Sequence, residues 1–184
     1  MSHDEIPNLA FIFGGTRSGK SEYAEKLLVR EAGAQTAPHY IATAEPRAAD
    51  SEMSERIRLH RARRGDGWRV TEESRFLPRA VADIPADAPL LVDGAALWLA
   101  RMLEAGDVPP LAPKADELLN ALAARTGLSV LVSDEVGQGV VADNRMAREF
   151  IDMCGQLNQR IAARAGRVLF VAAGLPLSLK PRDK

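Results

Sequence analysis

One eight-residue segment near the start of the chain constrains the possible folds more than any other feature. It has the G-x-x-x-x-G-K-S pattern of a P-loop, and its residues are Gly14, Gly15, Thr16, Arg17, Ser18, Gly19, Lys20 and Ser21. Such a loop needs a strand before it and a helix after it, because backbone N–H groups and the positive helix end must converge on phosphate oxygens. The apolar run Leu9–Phe13 and the helical pattern Ser21–Ala32 meet that need. The segment therefore predicts a phosphate-binding site.

The P-loop pattern also predicts a place for a metal ion. Lys20 is expected to neutralise the β- and γ-phosphates, and the Ser21 hydroxyl to ligate Mg²⁺. A second acid is needed near that ion, and Asp93 follows the apolar run Leu90–Val92 at a strand's C-terminal end, where parallel sheets place ligands. The pair Asp134-Glu135, at the end of the next apolar run, is the alternative and could contact metal, water or acceptor.

Apolar runs alternate with helical patterns along the whole chain, which predicts a parallel sheet covered by helices on both faces. Residues 1–184 show no repeat or composition shift and are expected to form a single P-loop nucleotide-binding domain. The remaining strands are predicted at His39–Thr43, Trp68–Thr71, Leu128–Ser133 and Val168–Ala172. The remaining helices are predicted at Ser51–Arg64, Ser74–Asp83, Ala95–Ala105, Lys114–Thr126 and Asn144–Ala165, with a proline-rich loop at Gly106–Pro113.

Composition excludes several classes of protein. The formal net charge of −1 argues against binding nucleic acid or an anionic membrane through bulk charge. One cysteine and three scattered histidines exclude a disulfide scaffold, a multi-cysteine zinc site and a histidine-rich metal centre, and Cys154 is expected in the core. No apolar run has the length of a membrane span, and the first residues do not resemble a signal peptide, so the expected location is cytoplasmic.

A histidine lies within an arginine-rich segment. Six of the 19 arginines fall between Arg56 and Arg69, and on a helix His60 shares a face with Met53 and Ile57. His60 could act as a nucleophile on a phosphoryl group, with arginines stabilising the developing charge. The alternatives are a solvated basic helix with a half-buried histidine and an RNA-contacting patch, although no aromatic residues interleave with the basic ones.

Several further segments resemble one family, the bifunctional adenosylcobinamide kinase / adenosylcobinamide-phosphate guanylyltransferases of cobalamin biosynthesis. The P-loop matches that family's narrower G-G-x-R-S-G-K-S form. The other matching segments, in chain order, are Tyr40-Ile41-Ala42-Thr43-Ala44, Arg56-Ile57-Arg58-Leu59-His60-Arg61 with Trp68 and Glu72, Val136-Gly137-Gln138-Gly139-Val140-Val141, Asn144-Arg145, Asn158-Gln159-Arg160 and Ala173-Gly174-Leu175-Pro176-Leu177. The likeness covers nearly the whole chain.

The resemblance implies a RecA-like P-loop NTPase fold, a homotrimer, and two reactions with ATP or GTP as substrates and Mg²⁺ as cofactor. A nucleoside triphosphate phosphorylates the aminopropanol hydroxyl of adenosylcobinamide; a histidine then takes GMP from GTP and passes it to adenosylcobinamide phosphate. The guanylylated histidine maps onto His60, with Lys20 and Asp93 as further catalytic residues. The implied nucleotide contacts are Gly14 to Ser21, Ala42, Thr43, Ala44, Arg61, Ala62, Arg63, Arg64, Glu72 and Asp93.

The chain departs from the family's pattern directly after Asp93 and at three later positions. Gly94, Ala95 and Ala96 follow Asp93 where the family usually shows a cysteine and then a threonine. Arg101 and Asp134 each stand where asparagine is usual, and Ala142 where proline is usual. The departures after Asp93 and at Arg101 bear on the kinase efficiency or the acceptor fit more than on guanylyl transfer. The alternative functions are a P-loop kinase of another small molecule with a structural His60, and a nucleotide-regulated binding module.

Overall fold

The computed structural model describes residues 5–33, 37–45, 51–64, 66–104, 111–139 and 142–180, without the side chains of residues 51–53, 56, 63 and 64. The strands are β1 (Ile6–Gly14), β2 (His39–Ala42), β3 (Arg69–Glu72), β4 (Leu90–Asp93), β5 (Ser129–Asp134), β6 (Ala165–Ala172) and β7 (Leu175–Lys180). The helices are α1 (Lys20–Ala32), α2 (Ser51–Arg64), α3 (Leu77–Ala82), α4 (Ala95–Glu104), α5 (Leu111–Ala123) and α6 (Arg145–Arg164).

The strands form one sheet in the order β3-β2-β4-β5-β1-β6-β7. All neighbouring pairs are parallel except β6 and β7, which are antiparallel. The central strands are buried on both faces, which explains their almost uninterrupted apolar sequences. The predicted α/β fold with a mostly parallel sheet flanked by helices is confirmed.

Alternate residues of the strands face two separate apolar clusters, because side chains point to opposite faces along a strand. Leu9 and Phe11 of β1 pack in the larger cluster with residues of α3 to α6 and the fully buried Trp98. Ala10 and Ile12 pack in the smaller one, mainly against α1. Cys154 is buried in the larger cluster, as predicted, and burial together with nearby carboxylates raises the pKa of its thiol to about 12.

Several elements differ from the sequence prediction. Strands β1 and β6 each begin three residues earlier than predicted, and α3 begins three residues later. Helix α5 begins at Leu111, so residues 111–113 are helical and not part of the predicted loop. Pro113 fits there because backbone N–H groups in the first turn of a helix have no acceptor within the helix, so a proline removes no hydrogen bond. Residues 106–110 lie outside the described part. The antiparallel strand β7 was not predicted, and it lies at the sheet edge, where Pro176 does not interrupt a central ladder. In the described ranges, no helix is long and apolar enough to cross a bilayer.

Candidate nucleotide-binding site

The P-loop connects the end of β1 to the start of α1. Its turn depends on two left-handed residues, Arg17 at φ 59° and Gly19 at φ 90°, and on a 3.2 Å hydrogen bond from the Ser18 N–H to the Gly15 carbonyl. At Gly14 a β-carbon would lie 2.3 Å from the Val171 carbonyl oxygen, so only glycine fits at that position. Helix α1 then directs its N-terminal N–H groups toward the loop, which makes an anion-binding concavity.

Lys20, at the start of α1, is only 4% exposed although it is charged. Its Nζ donates to the Gly15 carbonyl at 3.2 Å and lies 2.6 Å from Oδ1 of Asp134, the last residue of β5. The strand register explains this contact, because Asp134 is aligned with Gly14 in the pairing of β5 with β1. Lys20 is therefore held at the mouth of the P-loop by one carbonyl and one carboxylate.

Asp93, the last residue of β4, accepts hydrogen bonds on both carboxylate oxygens. Ser21 Oγ donates to Oδ1 at 3.1 Å, and the Tyr40 hydroxyl donates to Oδ2. His60 Nδ1 lies 3.7 Å from the same Oδ2. Burial alone would raise the pKa of Asp93, but the contacts with His60, Tyr40 and Ser21 outweigh it and hold the pKa below its ordinary value. Asp93 is thus an anchored carboxylate that faces both Ser21 and the histidine.

The chain segment after β2 shapes the turn that follows Asp93. Thr43 is fully buried, and its hydroxyl lies 3.0 Å and 2.7 Å from the carbonyl oxygens of Asp93 and Gly94. Gly94 has φ 109°, and a β-carbon there would lie 2.3 Å from Thr43 Oγ1. Thr43 therefore contributes to the site by fixing the backbone beside Asp93.

Helix α2 carries His60 to a position between two cavities. The inner cavity is lined by Lys20, Tyr40, Ala42, Ala44, Ile57, His60, Glu72, Asp93, Gly94, Leu97 and Asp134. A wider groove of about 580 Å³ follows the P-loop and is lined by Thr16, Arg17, Ser18, Gly19, Lys20, Ser21, Glu22, Glu55, Leu59 and His60. His60 and Lys20 line both. Ile57 shares the inward face of α2 with His60, as the sequence spacing predicted.

The structure brings most of the sequence-predicted residues together at the carboxyl end of the sheet. Arg61 and Ala62 are exposed and line neither cavity; Arg61 instead forms an ion pair with Glu72. The side chains of Arg63 and Arg64 lie outside the described part. Sequence reasoning did not assign roles to Tyr40 or Leu97, and it placed Asp134 only among alternatives. The sequence signal for Tyr40 is its place in the segment Tyr40-Ile41-Ala42-Thr43-Ala44 that resembles the family, whereas nothing in the sequence marks Leu97.

These features define a nucleotide-binding α/β protein of the P-loop class, with a preformed phosphate loop, an anchored acid opposite it and a histidine between. Comparison with known proteins narrows the class. The family model described as cobinamide kinase / cobinamide phosphate guanyltransferase matches residues 10–179. The chain belongs to that family.

Named relatives and solved structures agree with this assignment. The chain is 44% identical to the bifunctional adenosylcobalamin biosynthesis protein CobP of Pseudomonas aeruginosa, over 92% of this chain and 95% of the relative. It is 32% identical to CobU of Salmonella typhimurium, over 94% and 99% of the two chains. An ATPase of a bacterial type III secretion system superposes with a TM-score of 0.52 at 15% identity, over 94% of this chain and 57% of that one, which shows the shared RecA-like P-loop fold. The comparisons match the bifunctional kinase and guanylyltransferase that the sequence resembles, and not the two alternative functions.

Proposed function

We propose that this chain phosphorylates the aminopropanol hydroxyl of adenosylcobinamide, using ATP or GTP, and then transfers GMP from GTP to adenosylcobinamide phosphate. The products of the second reaction are adenosylcobinamide-GDP and pyrophosphate. Membership of the cobinamide kinase / cobinamide phosphate guanyltransferase family supports both activities. The P-loop supports the use of a nucleoside triphosphate in each.

The position of His60 is the observation that carries the guanylyl transfer. It lines both the groove along the P-loop, where the triphosphate is proposed to bind, and the inner cavity beside Asp93. Its Nδ1 faces Asp93 at 3.7 Å, so Nε2 is the nitrogen that we propose as the nucleophile. A carboxylate close to one ring nitrogen favours the tautomer with the proton on that nitrogen and the lone pair on the other. Asp93 therefore orients His60 as a nucleophile.

The guanylyl transfer then follows in two displacements. His60 Nε2 attacks the α-phosphorus of GTP, forming a P–N bond while the bond to the β-phosphate oxygen breaks and pyrophosphate leaves. A phosphate oxygen of adenosylcobinamide phosphate next attacks the same phosphorus, and the P–N electron pair returns to His60. The covalent intermediate divides one difficult exchange into two easier ones.

The phosphoryl transfer uses the P-loop directly. The loop's N–H groups and Lys20 hold the β- and γ-phosphates, and the acceptor hydroxyl attacks the γ-phosphorus while the bond to the β-phosphate oxygen breaks. The hydroxyl proton passes to water. Charge neutralisation and positioning by these groups account for most of the catalysis in such reactions.

Ser21 and Asp93 suit a bound Mg²⁺, since their oxygens lie 3.1 Å apart and both are hard oxygen donors. We assign these two residues as its protein contacts, the remaining ligands being water and phosphate oxygens. Mg²⁺ bound there would neutralise phosphate charge. Over the described ranges, no group of three His, Cys, Asp or Glu side chains offers another metal site.

The nucleotide contacts named from the sequence belong to the same proposal. We place the triphosphate on residues 14–21 and the nucleoside against Ala42, Ala44 and Glu72, which line the inner cavity. Thr43 is fully buried and would act only by fixing the backbone beside Asp93. Arg61, Arg63 and Arg64, on the last turn of α2 with Ala62, are the proposed source of further positive charge. The single-domain organisation, the homotrimer and the cytoplasmic location stay predictions of the sequence.

Trapping of a covalent adduct tests this function. The protein is incubated with α-³²P GTP and Mg²⁺, denatured, and examined for retained label that is lost in acid and kept in base, as a phosphoramidate requires. We expect label on the wild type and on His39→Gln, a histidine variant outside the site, and none on His60→Ala. The same His60→Ala protein should still transfer label from γ-³²P GTP or ATP to adenosylcobinamide.

Each outcome decides between the functions. A wild-type protein that folds, phosphorylates adenosylcobinamide and forms no adduct is a kinase only. Label that persists in His60→Ala rules out His60 as the nucleophile. Absence of both reactions, in a folded protein that binds nucleotide, supports the regulated binding module.

A further inference from the structure

The ion pair between Lys20 and Asp134 places a carboxylate where the outer phosphates of a nucleotide must bind. The Nζ–Oδ1 distance is 2.6 Å, and the two side chains are only 5% and 16% exposed. Both line the inner cavity. The lysine that should hold phosphate is therefore paired with an acid in this structure.

Asp134 is fixed in this position by its backbone. Its carbonyl accepts a hydrogen bond of 3.0 Å from Asn158 Nδ2 on α6, and the next residue, Glu135, donates its N–H to the Gly14 carbonyl at 3.0 Å. These bonds fix the Asp134 backbone, so its carboxylate can leave Lys20 only as far as rotation about its two side-chain bonds allows.

A bound phosphate would consequently lie close to a negative charge. A phosphate oxygen about 2.8 Å from the lysine nitrogen can be no farther than about 5.5 Å from the carboxylate oxygen. At that separation, one pair of like charges weakens binding by between about threefold and a hundredfold, for dielectric constants between those of water and of a protein surface.

We propose that Asp134 sets the affinity of the P-loop for the γ-phosphate: its negative charge opposes that of a phosphate held by Lys20 and weakens the binding of triphosphate relative to diphosphate. Asp134 is a positioning residue, since it acts through Lys20. The inference rests on the proposed nucleotide site. Its consequence for the enzyme is a triphosphate that binds less tightly and is exchanged more readily between the two reactions.

Two unreactive nucleotides test this role. The α,β-methylene analogues of GTP and GDP differ by the γ-phosphate alone, and their dissociation constants are measured by calorimetry with Mg²⁺. In Asp134→Asn, which keeps the size and removes the charge, we expect the preference for the triphosphate analogue to rise at least threefold. Asp134→Glu should keep the wild-type preference. Glu135→Gln is the matched control, since that carboxylate accepts the Gly137 N–H and lines neither cavity.

A purely structural role predicts a different result. Loss of the buried ion pair should lower the melting temperature of nucleotide-free Asp134→Asn, while triphosphate binding improves; a structural residue would weaken both analogues alike. Asp134→Ser also removes the charge and replaces the Asn variant if that does not fold. An unchanged or reduced triphosphate preference overturns the inference alone. A wild type that binds neither analogue overturns the nucleotide site, and the inference with it.

Discussion

The backbone N–H of Gly174 donates a 2.7 Å hydrogen bond to the carbonyl of Ser18, and this bond ties the turn between β6 and β7 to the middle of the P-loop. The two segments also pack closely, because a β-carbon at Gly19 would lie 3.0 Å from Gly174 Cα. The phosphate loop is therefore supported by the C-terminal hairpin as well as by β1 and α1. A glycine at position 19 serves both the close approach and the left-handed φ of 90°.

Substitution of Gly19 should damage nucleotide binding through the backbone. Gly19→Ala combines a positive φ with contact to the β6–β7 turn, so we expect a loss of about 1–3 kcal/mol in the free energy of unfolding and at least tenfold weaker binding of GTP. Gly155→Ala, in the interior of α6 with open space around it, should instead stabilise the protein by about 0.5–1 kcal/mol. Urea unfolding and calorimetry measure the two effects. A fully stable Gly19→Ala would contradict the proposed packing.

Asp93 should matter for both reactions, and Tyr40 should matter through Asp93. Asp93→Asn removes the charge that faces His60 and Ser21, so we expect kcat to fall at least a hundredfold for phosphorylation and for adduct formation. Tyr40→Phe removes one hydrogen-bond donor to the carboxylate, and a hydrogen bond to a charged group is worth about 1.5–3 kcal/mol. We therefore expect kcat to fall about tenfold in this variant. Tyr23→Phe, on α1 and outside both cavity linings, serves as the control. Equal rates in Tyr40→Phe and wild type would show that the Tyr40 hydroxyl is not needed to hold Asp93.

Arg125 should contribute to stability and not to nucleotide binding. Its guanidinium is buried and donates to the carbonyls of Val81, Ile84 and Ala88 at 3.4, 3.2 and 2.5 Å, and to Ser129 Oγ at 3.1 Å. Arg125→Met leaves these acceptors without a partner, at a cost on the order of 3 kcal/mol. Urea unfolding should show that loss.

A lysine at position 125 provides the comparison. Arg125→Lys keeps the charge but lacks the planar fork, so its loss should be intermediate. GTP affinity, measured at a temperature where each variant is folded, should match the wild type. Weaker GTP binding by folded Arg125→Lys would contradict the assignment of a purely structural role.

Acid should destabilise the protein through His39. Burial, together with the nearby Arg69 and Arg125, lowers the pKa of His39, and its Nε2 is buried with no hydrogen-bond partner among the described residues. The unfolded state thus takes up a proton more readily, and stability falls as the pH drops below the ordinary histidine value of about 6.5. His39→Gln should lose less stability than wild type between pH 7 and 5 in urea unfolding. Parallel pH profiles would show that other groups govern acid unfolding.

Local patterns predicted the elements around the site. The apolar runs before Gly14 and Asp93 became β1 and β4, and the spacing of Ile57 and His60 placed both on the inward face of α2. These features depend on short-range periodicity, which a sequence displays directly. Strand β7 was missed because its pairing with β6 arises at a sheet edge, where burial imposes no clear pattern.

The sequence by itself determined the class of site, because the P-loop pattern of glycines, a lysine and a serine is typical of phosphate binding. The resemblance of several further segments to one family then identified the two reactions. Only the tertiary structure decided which side chains share the cavity. Strand register brought Asp134 to Lys20, and the pairing of β2 with β4 brought Tyr40 to Asp93. Such contacts join residues far apart in the chain, so their distances depend on how the strands align and not on any local pattern.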